Sequence, residues 1–159
     1  MNDLPKPIPA ATLILMRPSA GEAPELLIME RAKSMAFAAG ALVFPGGRID
    51  PDDHLLAERI GGDFEFAAAR VAAIRETIEE TGIAPAISPL PDTGIVSQIR
   101  QELEEDTPFS TLVEAFGLTL DLAALTPFAR WCPTFKEARR FDTLFFVAEA
   151  PAGAGIASA

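Results

Sequence analysis

Three glutamates and a pair of glycines stand out in this chain because together they could hold a metal ion beside a phosphate group. The glutamates belong to the segment Arg75-Glu76-Thr77-Ile78-Glu79-Glu80-Thr81-Gly82, which follows the turn Phe44-Pro45-Gly46-Gly47. Magnesium and manganese prefer oxygen ligands, and magnesium commonly binds carboxylates together with substrate phosphates. A diglycine turn lets the backbone approach such a metal-bound diphosphate closely. The combination predicts hydrolysis of a diphosphate.

The three glutamates must share one face of a helix to act together. Residues 64–81 are rich in alanine, contain no proline and precede Gly82, which predicts a helix that ends there. At about 100° per residue, Glu79 lies about 60° to one side of Glu76 and Glu80 about 40° to the other. The apolar residues of the opposite side are Ala67, Val71, Ile74 and Ile78. We therefore expect a core side and a carboxylate side.

Each feature taken alone has a simpler interpretation. Like charges at this spacing repel by a few tenths of a kcal/mol per pair, yet an acidic helix face can merely be solvated, with Arg75 as a surface partner. A Pro-Gly-Gly segment can be an ordinary turn after a short strand. The occurrence of both features in series favours the metal site.

The same residues resemble the signature of the Nudix hydrolases, G-x5-E-x7-R-E-U-x-E-E-x-G-U, in which U is aliphatic. The chain matches its second half from Arg75 to Ile83. It departs from the first half, because residues 48–74 separate Gly47 from Arg75 and about 14 of them are additional. Counting back from Arg75 places Ala67 where the first glutamate belongs, and Thr77 replaces an aliphatic residue.

With these departures, the chain is similar to a long-insert branch of the family, which includes peroxisomal and mitochondrial coenzyme A diphosphatases. The resemblance covers roughly residues 10–150 and includes 44–53, Trp131 and 139–146. It implies an α/β/α Nudix sandwich with a mixed β-sheet and an inserted loop before the catalytic helix. It also implies metal-dependent hydrolysis of a nucleoside diphosphate linked to another group, with coenzyme A or acyl-coenzyme A as the first candidate substrate.

The resemblance assigns expected roles to individual residues. Glu76 and Glu80 match the main ligands of Mg²⁺ or Mn²⁺, Glu79 matches the third acid, and the carbonyl oxygen of Gly46 matches a further ligand. Arg75 would orient the carboxylates through a salt bridge and joins Glu79 and Glu80 in the catalytic set. Glu79 either binds metal or assists the attacking water. The general base stays open among three further acids, Glu102, Glu104 and Glu105.

Four residues are expected to contact the substrate, namely Arg31, Gly47, Trp131 and Arg140. The segment 30–34 corresponds loosely to the upstream coenzyme A signature. An indole can stack on a base or cover an acyl group, although core packing would also suit Trp131. An arginine can hold a phosphate through bidentate hydrogen bonds, although Arg140 could equally be a solvated charge in a turn.

Two other functions fit the same residues. The first is a housecleaning pyrophosphatase acting on modified nucleotides or nucleotide sugars. The second is a nucleotide-binding regulator with a Nudix fold and weak catalysis, which the missing first glutamate and the short C-terminus favour. The retained acidic trio argues against the regulator, because a protein that only binds does not need all three acids.

Composition indicates one globular domain. Of 159 residues, 49% are hydrophobic and 23% are charged, which is enough for a single core. The formal charge of −10 would repel anionic substrates at long range, and a bound metal would reverse that field locally. A single cysteine, Cys132, excludes an intramolecular disulfide, and the lone His54 is expected at the surface. The sequence lacks a basic stripe with interleaved aromatics, so no nucleic-acid partner is predicted.

The chain carries no apolar run of the roughly 20 residues that span a bilayer. Its first residues do not resemble a secretion signal, so we expect a cytoplasmic protein. Residues 1–9 and 151–159 are expected to be a flexible lead and tail around a domain at 10–150. Because relatives continue with a helix where this sequence ends in glycine and alanine, the C-terminus is expected to be shortened and completed by a second copy in a homodimer.

Periodicity and turn residues predict the elements around the site. Strands are expected at 12–17, 25–31, 41–44, 129–131 and 143–148, the first two forming a hairpin around a turn at 18–21. The insertion at 48–63 is expected to be a loop, with Asp63 as the N-cap of the catalytic helix. Apolar periodicity at 96–116 predicts a helical cap over the substrate.

Overall fold

The computed structural model describes residues 4–30, 40–134 and 139–153. Within these ranges the strands are β1 (Ile8–Ser19), β2 (Glu22–Leu26), β3 (Met29–Glu30), β4 (Leu42–Val43), β5 (Gly46–Arg48), β6 (Ile87–Ser88), β7 (Thr119–Leu120), β8 (Thr126–Trp131) and β9 (Phe141–Glu149). The helices are α1 (Pro51–Ile60), α2 (Ala67–Thr81), α3 (Thr93–Glu104) and α4 (Phe109–Ala115), with a 3₁₀ turn at Leu122–Ala124. The fold is α/β.

The main sheet is mixed, as predicted. Its strand order is β2-β1-β9-β8, and β5 also pairs with β1. The long central pair β1 and β9 is parallel, whereas β2 and β5 run antiparallel to β1 and β8 runs antiparallel to β9. The predicted hairpin is confirmed as β1 and β2. The predicted strand at 25–31 is wrong in its bounds, because β2 ends at Leu26 and the short β3 pairs with β4 instead.

Helix α2 packs on one face of this sheet and supplies the centre of the core. Its residues Val71, Ile74 and Ile78 are fully buried, and it contacts β1, β5 and β9. On the sheet, Leu13 of β1 lies beside Phe146 of β9, and both are buried. Burial of these aliphatic and aromatic side chains is the main term that holds helix and sheet together.

The end of α2 agrees with the prediction and its beginning does not. Gly82 ends the helix in the left-handed conformation, with φ 73°, and its amide donates to the carbonyl oxygen of Ile78. The helix begins at Ala67, after Phe66 with φ 58°, so Asp63 is not its N-cap. The Nε atom of Arg70 donates a hydrogen bond to the carbonyl oxygen of Glu65 at 2.8 Å. This contact occupies the backbone acceptor that an earlier helical turn would have used.

The insertion is not a loop, because most of it forms α1. Pro51 occupies the first turn, where its missing amide costs nothing. The Asp53 carboxylate accepts from the amide of Asp50 at 2.8 Å, which satisfies an unpaired donor at the helix start. Acids in the first turn and Arg59 in the last complement the helix dipole. Helix α1 packs against α2, so the insertion lies along that helix.

The helical region predicted at 96–116 is confirmed as two helices. Val96, Ile99 and Leu103 of α3 are buried, and α3 packs against α2. Helix α4 packs against α1, and Asp52 accepts from both the amide and the hydroxyl of Ser110, at 2.9 and 2.5 Å. The two helices thus belong to the helical layer around α2. In the part of the chain that is described, no helix is long and apolar enough to cross a membrane.

Candidate active site

The glycine turn and the acids of α2 meet in space. The amide of Gly46 donates to the Glu80 carboxylate at 3.1 Å. A Cβ atom on Gly47 would lie 2.4 Å from Oε1 of Glu76, so only glycine leaves room for that carboxylate. Residues more than 25 positions apart in sequence therefore form one acidic corner at β5.

Arg75 orients two of the acids from within the helix. Its Nη1 atom lies 3.0 Å from Oε1 of Glu76 and 3.1 Å from Oε2 of Glu79. Its Nη2 atom also donates to the carbonyl oxygen of Arg48 at 3.1 Å, which ties the helix to β5. The salt bridge expected inside the helix is thus present, and it extends to the glycine loop.

Asp53 is a site residue that the sequence reasoning missed. Its side chain is fully buried and binds Arg75 in a bidentate pair, with Nε 3.0 Å from Oδ1 and Nη2 2.9 Å from Oδ2. Counted forward from Gly47, Asp53 stands where the Nudix signature has its first glutamate. The count from Arg75 gave Ala67 because the insertion follows this acid. The first acid of the motif is therefore present as an aspartate.

Burial and the charges of this corner shift the pKa values of two groups, Arg75 and Glu76. Burial works against the charged form of Arg75, but the hydrogen bonds and charge of Asp53, then Glu76 and Asp50, outweigh it and raise the pKa of Arg75. Burial raises the pKa of Glu76 to about 7; the charges of Glu79 and Glu80 add to this rise, and Arg75 opposes it. The negative charge on Glu76 is thus incompletely balanced by Arg75.

The donors of this corner fit a hard divalent cation. They are all oxygens, which suits Mg²⁺ or Mn²⁺. A bound cation would also supply positive charge to balance the Glu76 carboxylate. The carboxylates of Glu76 and Glu79 turn toward Arg75, and Glu80 turns toward Gly46. In this arrangement, no three His, Cys, Asp or Glu side chains of the described residues are grouped as a ready set of metal ligands. The assignment of a metal site therefore rests on the oxygen donors and on the proximity of the acids to the glycine turn.

The residues expected to contact the substrate do not share one environment. Gly47 lies under Glu76 in the acidic corner. Trp131 ends the edge strand β8 and is 57% exposed, so it is not a core residue. Arg140 donates to the backbone carbonyl oxygens of Pro5 at 3.1 Å and Pro133 at 3.2 Å, which favours a structural role. Arg31 lies outside the described residues.

The candidates for the general base lie on or just after α3. Glu102 accepts from the Thr107 hydroxyl at 2.8 Å, and Glu105 accepts from Gln101 at 3.3 Å. Glu104 is exposed. These contacts do not single out one of the three.

Arg100 of α3 contacts α2, and this contact was not predicted. Its Nε atom donates to the carbonyl oxygen of Glu79 at 3.1 Å, and its guanidinium lies against Gly82. A cation at this place satisfies a terminal carbonyl group and complements the helix dipole. The contact depends on how α3 packs, and the local sequence gives no sign of it.

Comparison with known proteins agrees with this geometry. No protein-family model matches the chain. It is 25% identical over 185 residues to the human protein named acyl-coenzyme A diphosphatase NUDT19, across 82% of this chain and 49% of the human one. The chain thus spans about half the length of that curated relative.

A solved structure gives a closer likeness. The NUDIX hydrolase from Alicyclobacillus acidocaldarius superimposes with a TM-score of 0.78 and is 30% identical, and the match covers 91% of this chain and 70% of that one. Identity at this level, extending over most of both chains, shows common membership as well as a common fold. The chain therefore belongs to the Nudix family of hydrolases.

Proposed function

We propose that this protein hydrolyses the pyrophosphate bond of a nucleoside diphosphate linked to a second group, with Mg²⁺ or Mn²⁺ bound at the acidic corner. Glu76, Glu79, Glu80 and the carbonyl oxygen of Gly46 would hold the cation. The observation that carries the proposal is the meeting of Glu76 and Glu80 with the glycine turn. Nudix hydrolases in general use divalent metal ions, which supports the same assignment.

Each protein group has a definable task in this reaction. A bound divalent cation would neutralise charge on the phosphoryl oxygens and make a water molecule more acidic. Arg75 holds Glu76 and Glu79 in place, and Asp53 in turn holds Arg75. Glu79 is suited either to bind metal or to orient the attacking water. Gly47 leaves the space that the Glu76 carboxylate occupies.

Coenzyme A or an acyl-coenzyme A is our first candidate substrate. The likeness to the human acyl-coenzyme A diphosphatase supports it, at 25% identity. The presence of Asp53 weakens the case for a regulator without turnover, because the first acid of the signature is not missing. Modified nucleotides and nucleotide sugars remain the competing substrates. A small-molecule substrate and a cytoplasmic location complete the proposal.

Substitution of the acids tests the proposal. In Glu76→Gln and Glu80→Gln we expect kcat/KM with Mg²⁺ to fall by at least about 100-fold, on the order of 3 kcal/mol of transition-state stabilisation. Glu58→Gln, on the exposed side of α1, is the matched control and should retain activity. Products from coenzyme A esters, dinucleoside polyphosphates and nucleotide sugars would be identified by mass spectrometry. Undiminished turnover in both site variants would reject the metal roles.

A further inference from the structure

A row of four residues crosses the main sheet next to the acidic corner. Arg48 of β5 pairs with Ala10 of β1, Ala10 pairs with Thr143 of β9, and Thr143 pairs with Trp131 of β8. Residues paired in register project their side chains from the same face of a sheet. Arg48, Ala10, Thr143 and Trp131 are hereafter called the cross-sheet row.

The cross-sheet row lies on the face opposite α2. A Cβ atom on Gly47 would point at Glu76 of α2, so the side-chain position of Gly47 faces that helix. Successive residues of a strand project to opposite faces, which directs Gly46 and Arg48 to the other side. Phe146 confirms the assignment, because the Arg70 guanidinium of α2 stacks on its ring, while its pair-mate Leu13 alternates with Ala10. The row thus lies on the other side of the sheet from α2.

The row has the outline of a shallow shelf. Its ends are large and exposed, since Arg48 is exposed and Trp131 is 57% exposed. Its middle positions are small: Ala10 is buried and Thr143 is half-buried. Three strand spacings separate the ends, about 14 Å between backbones, and both terminal side chains are long enough to shorten that gap.

The shelf is continuous with the acidic corner. Gly46, two residues before Arg48 and on the same face of β5, donates its amide to Glu80. The carbonyl oxygen of Arg48 accepts from Arg75. An anion held by the Arg48 side chain would therefore lie next to the glycine turn, where we place the diphosphate.

Arg48 is placed to receive an anion from outside the protein. Its side chain projects to the face opposite α2, and among the described residues its guanidinium forms no ion pair. The acids of the corner pair with Arg75. In a chain with a formal charge of −10, an exposed arginine at the edge of the acidic corner supplies the local attraction that an anionic substrate needs.

We propose that the cross-sheet row binds the nucleotide half of the substrate, with a nucleobase stacked on Trp131 and a phosphate held by Arg48. The inference rests on the proposed function, which it makes more specific. Stacking on an aromatic side chain stabilises a bound base by roughly 1–3 kcal/mol, and a guanidinium matches the geometry of phosphate oxygens.

The composition of the chain allows a direct test. Trp131 is the one tryptophan in the sequence and there is no tyrosine, so the intrinsic fluorescence excited at the indole band reports on this residue alone. We expect ADP with Mg²⁺ to quench that fluorescence saturably and inorganic pyrophosphate to bind without comparable quenching. In Arg48→Ala the Kd for ADP should rise by about tenfold, on the order of 1.4 kcal/mol. Arg59→Ala, which removes an exposed arginine from α1, is the charge-matched control and should leave the Kd unchanged.

Calorimetry on Trp131→Ala provides the second measurement, because that variant has no indole to observe. Weaker ADP binding with an unchanged Kd for pyrophosphate supports stacking. Four results would overturn the inference: no ADP binding at millimolar concentration, ADP binding without quenching, equal effects of the Arg48 and Arg59 substitutions, or quenching by an S-acyl pantetheine but not by ADP.

The outcomes for the row and for the catalysis are separable. If ADP quenches the wild-type protein and no diphosphate is hydrolysed, the proposed function fails and the nucleotide shelf stands. If diphosphates are hydrolysed and KM is the same in the wild type, Arg48→Ala and Trp131→Ala, the shelf fails and the hydrolase stands.

Discussion

At the residue scale, Arg75 is the centre of the site because it contacts acids from two helices. It is almost fully buried, and its partners include Asp53 on α1 and both Glu76 and Glu79 on α2. An arginine fork fixes a carboxylate geometrically as well as electrostatically. The orientation of the acids thus depends on the pairing of Arg75 with Asp53.

Substitution Asp53→Asn should therefore be costly. Breaking a buried ion pair by removing one partner typically costs about 3–5 kcal/mol. We expect the free energy of unfolding to fall by an amount near the lower figure, since Arg75 keeps three other acids, Asp50, Glu76 and Glu79. Asp142→Asn is the matched control, because Asp142 pairs with an Arg130 side chain that is 61% exposed. Exposed pairs contribute about 1 kcal/mol or less. Urea unfolding of both variants gives the comparison, and equal losses would contradict the role of Asp53.

Glu76 should make stability depend on pH. Its pKa in the folded chain is raised to about 7, first by burial. A carboxyl group with a raised pKa in the folded state favours folding while protonated, and this contribution is lost as the pH rises through about 7. In the presence of a chelator, Glu76→Gln should hence raise Tm at pH 8, by roughly 2–4 °C per kcal/mol, and change it little at pH 5.

The control for that experiment is Glu58→Gln, which alters an exposed glutamate of α1. It should shift Tm by the same small amount at both pH values. A Glu76→Gln variant that is no more stable than the wild type at pH 8 would show that burial of this carboxylate carries no folding cost.

At the element scale, the meeting of β5 with α2 depends on the absence of a side chain at Gly47. In Gly47→Ala the new methyl group would lie 2.4 Å from Oε1 of Glu76 and would displace that carboxylate. We expect activity with Mg²⁺ to fall by at least about tenfold, or 1.4 kcal/mol in the barrier. The loss of stability should be small, because a flexible side-chain end is the group that moves.

Alanine substitutions of two other glycines provide comparisons for this result. In Gly94→Ala, on α3, the nearest heavy atom to the new Cβ is a side-chain oxygen at 3.3 Å, so activity should be retained. In Gly46→Ala the methyl group would meet backbone atoms of β1 at 2.5 and 2.9 Å, so the protein should be destabilised as a whole. Equal activity of Gly47→Ala and Gly94→Ala would contradict the close packing of Glu76.

Local sequence predicts elements better than it predicts their boundaries or partners. The glycine that ends α2 and the turn between β1 and β2 have direct chemical causes, so both were found. Helix α1 was missed although Asp50 and Pro51 are typical of a helix start, because the polar residues that follow also suit a loop. The contact of Arg70 with Glu65, which shortens α2, involves a side chain whose direction no periodicity reveals.

At the scale of the whole molecule, the sheet brings together segments that are distant in sequence. Strand β1 pairs in parallel with β9, and nothing in either segment names the other as its partner. The acidic trio was predictable because it lies on one helix. The cross-sheet row was not, because its four residues come from four strands and share a face only through the pairing register.

Association of two copies is a prediction at this scale. Exposed apolar side chains on short or edge strands, such as Leu42 and Phe128, offer surface for it. Strand β8 also carries Pro127, an irregularity in its pairing and Arg130, which protect an edge from indiscriminate pairing. Light scattering over a dilution series should show a dimer that dissociates at low concentration. A constant monomer mass throughout the series would contradict it.

The direct bond between Asp53 and Arg75 has a consequence for comparing distant relatives. It fixes both ends of the chain segment between them, and the entropy of closing a loop grows only slowly with its length. The segment between these two residues could therefore lengthen during evolution without moving either of them. We therefore expect alignments with relatives that have a shorter insertion to place the gap after Asp53, between the two residues of this ion pair.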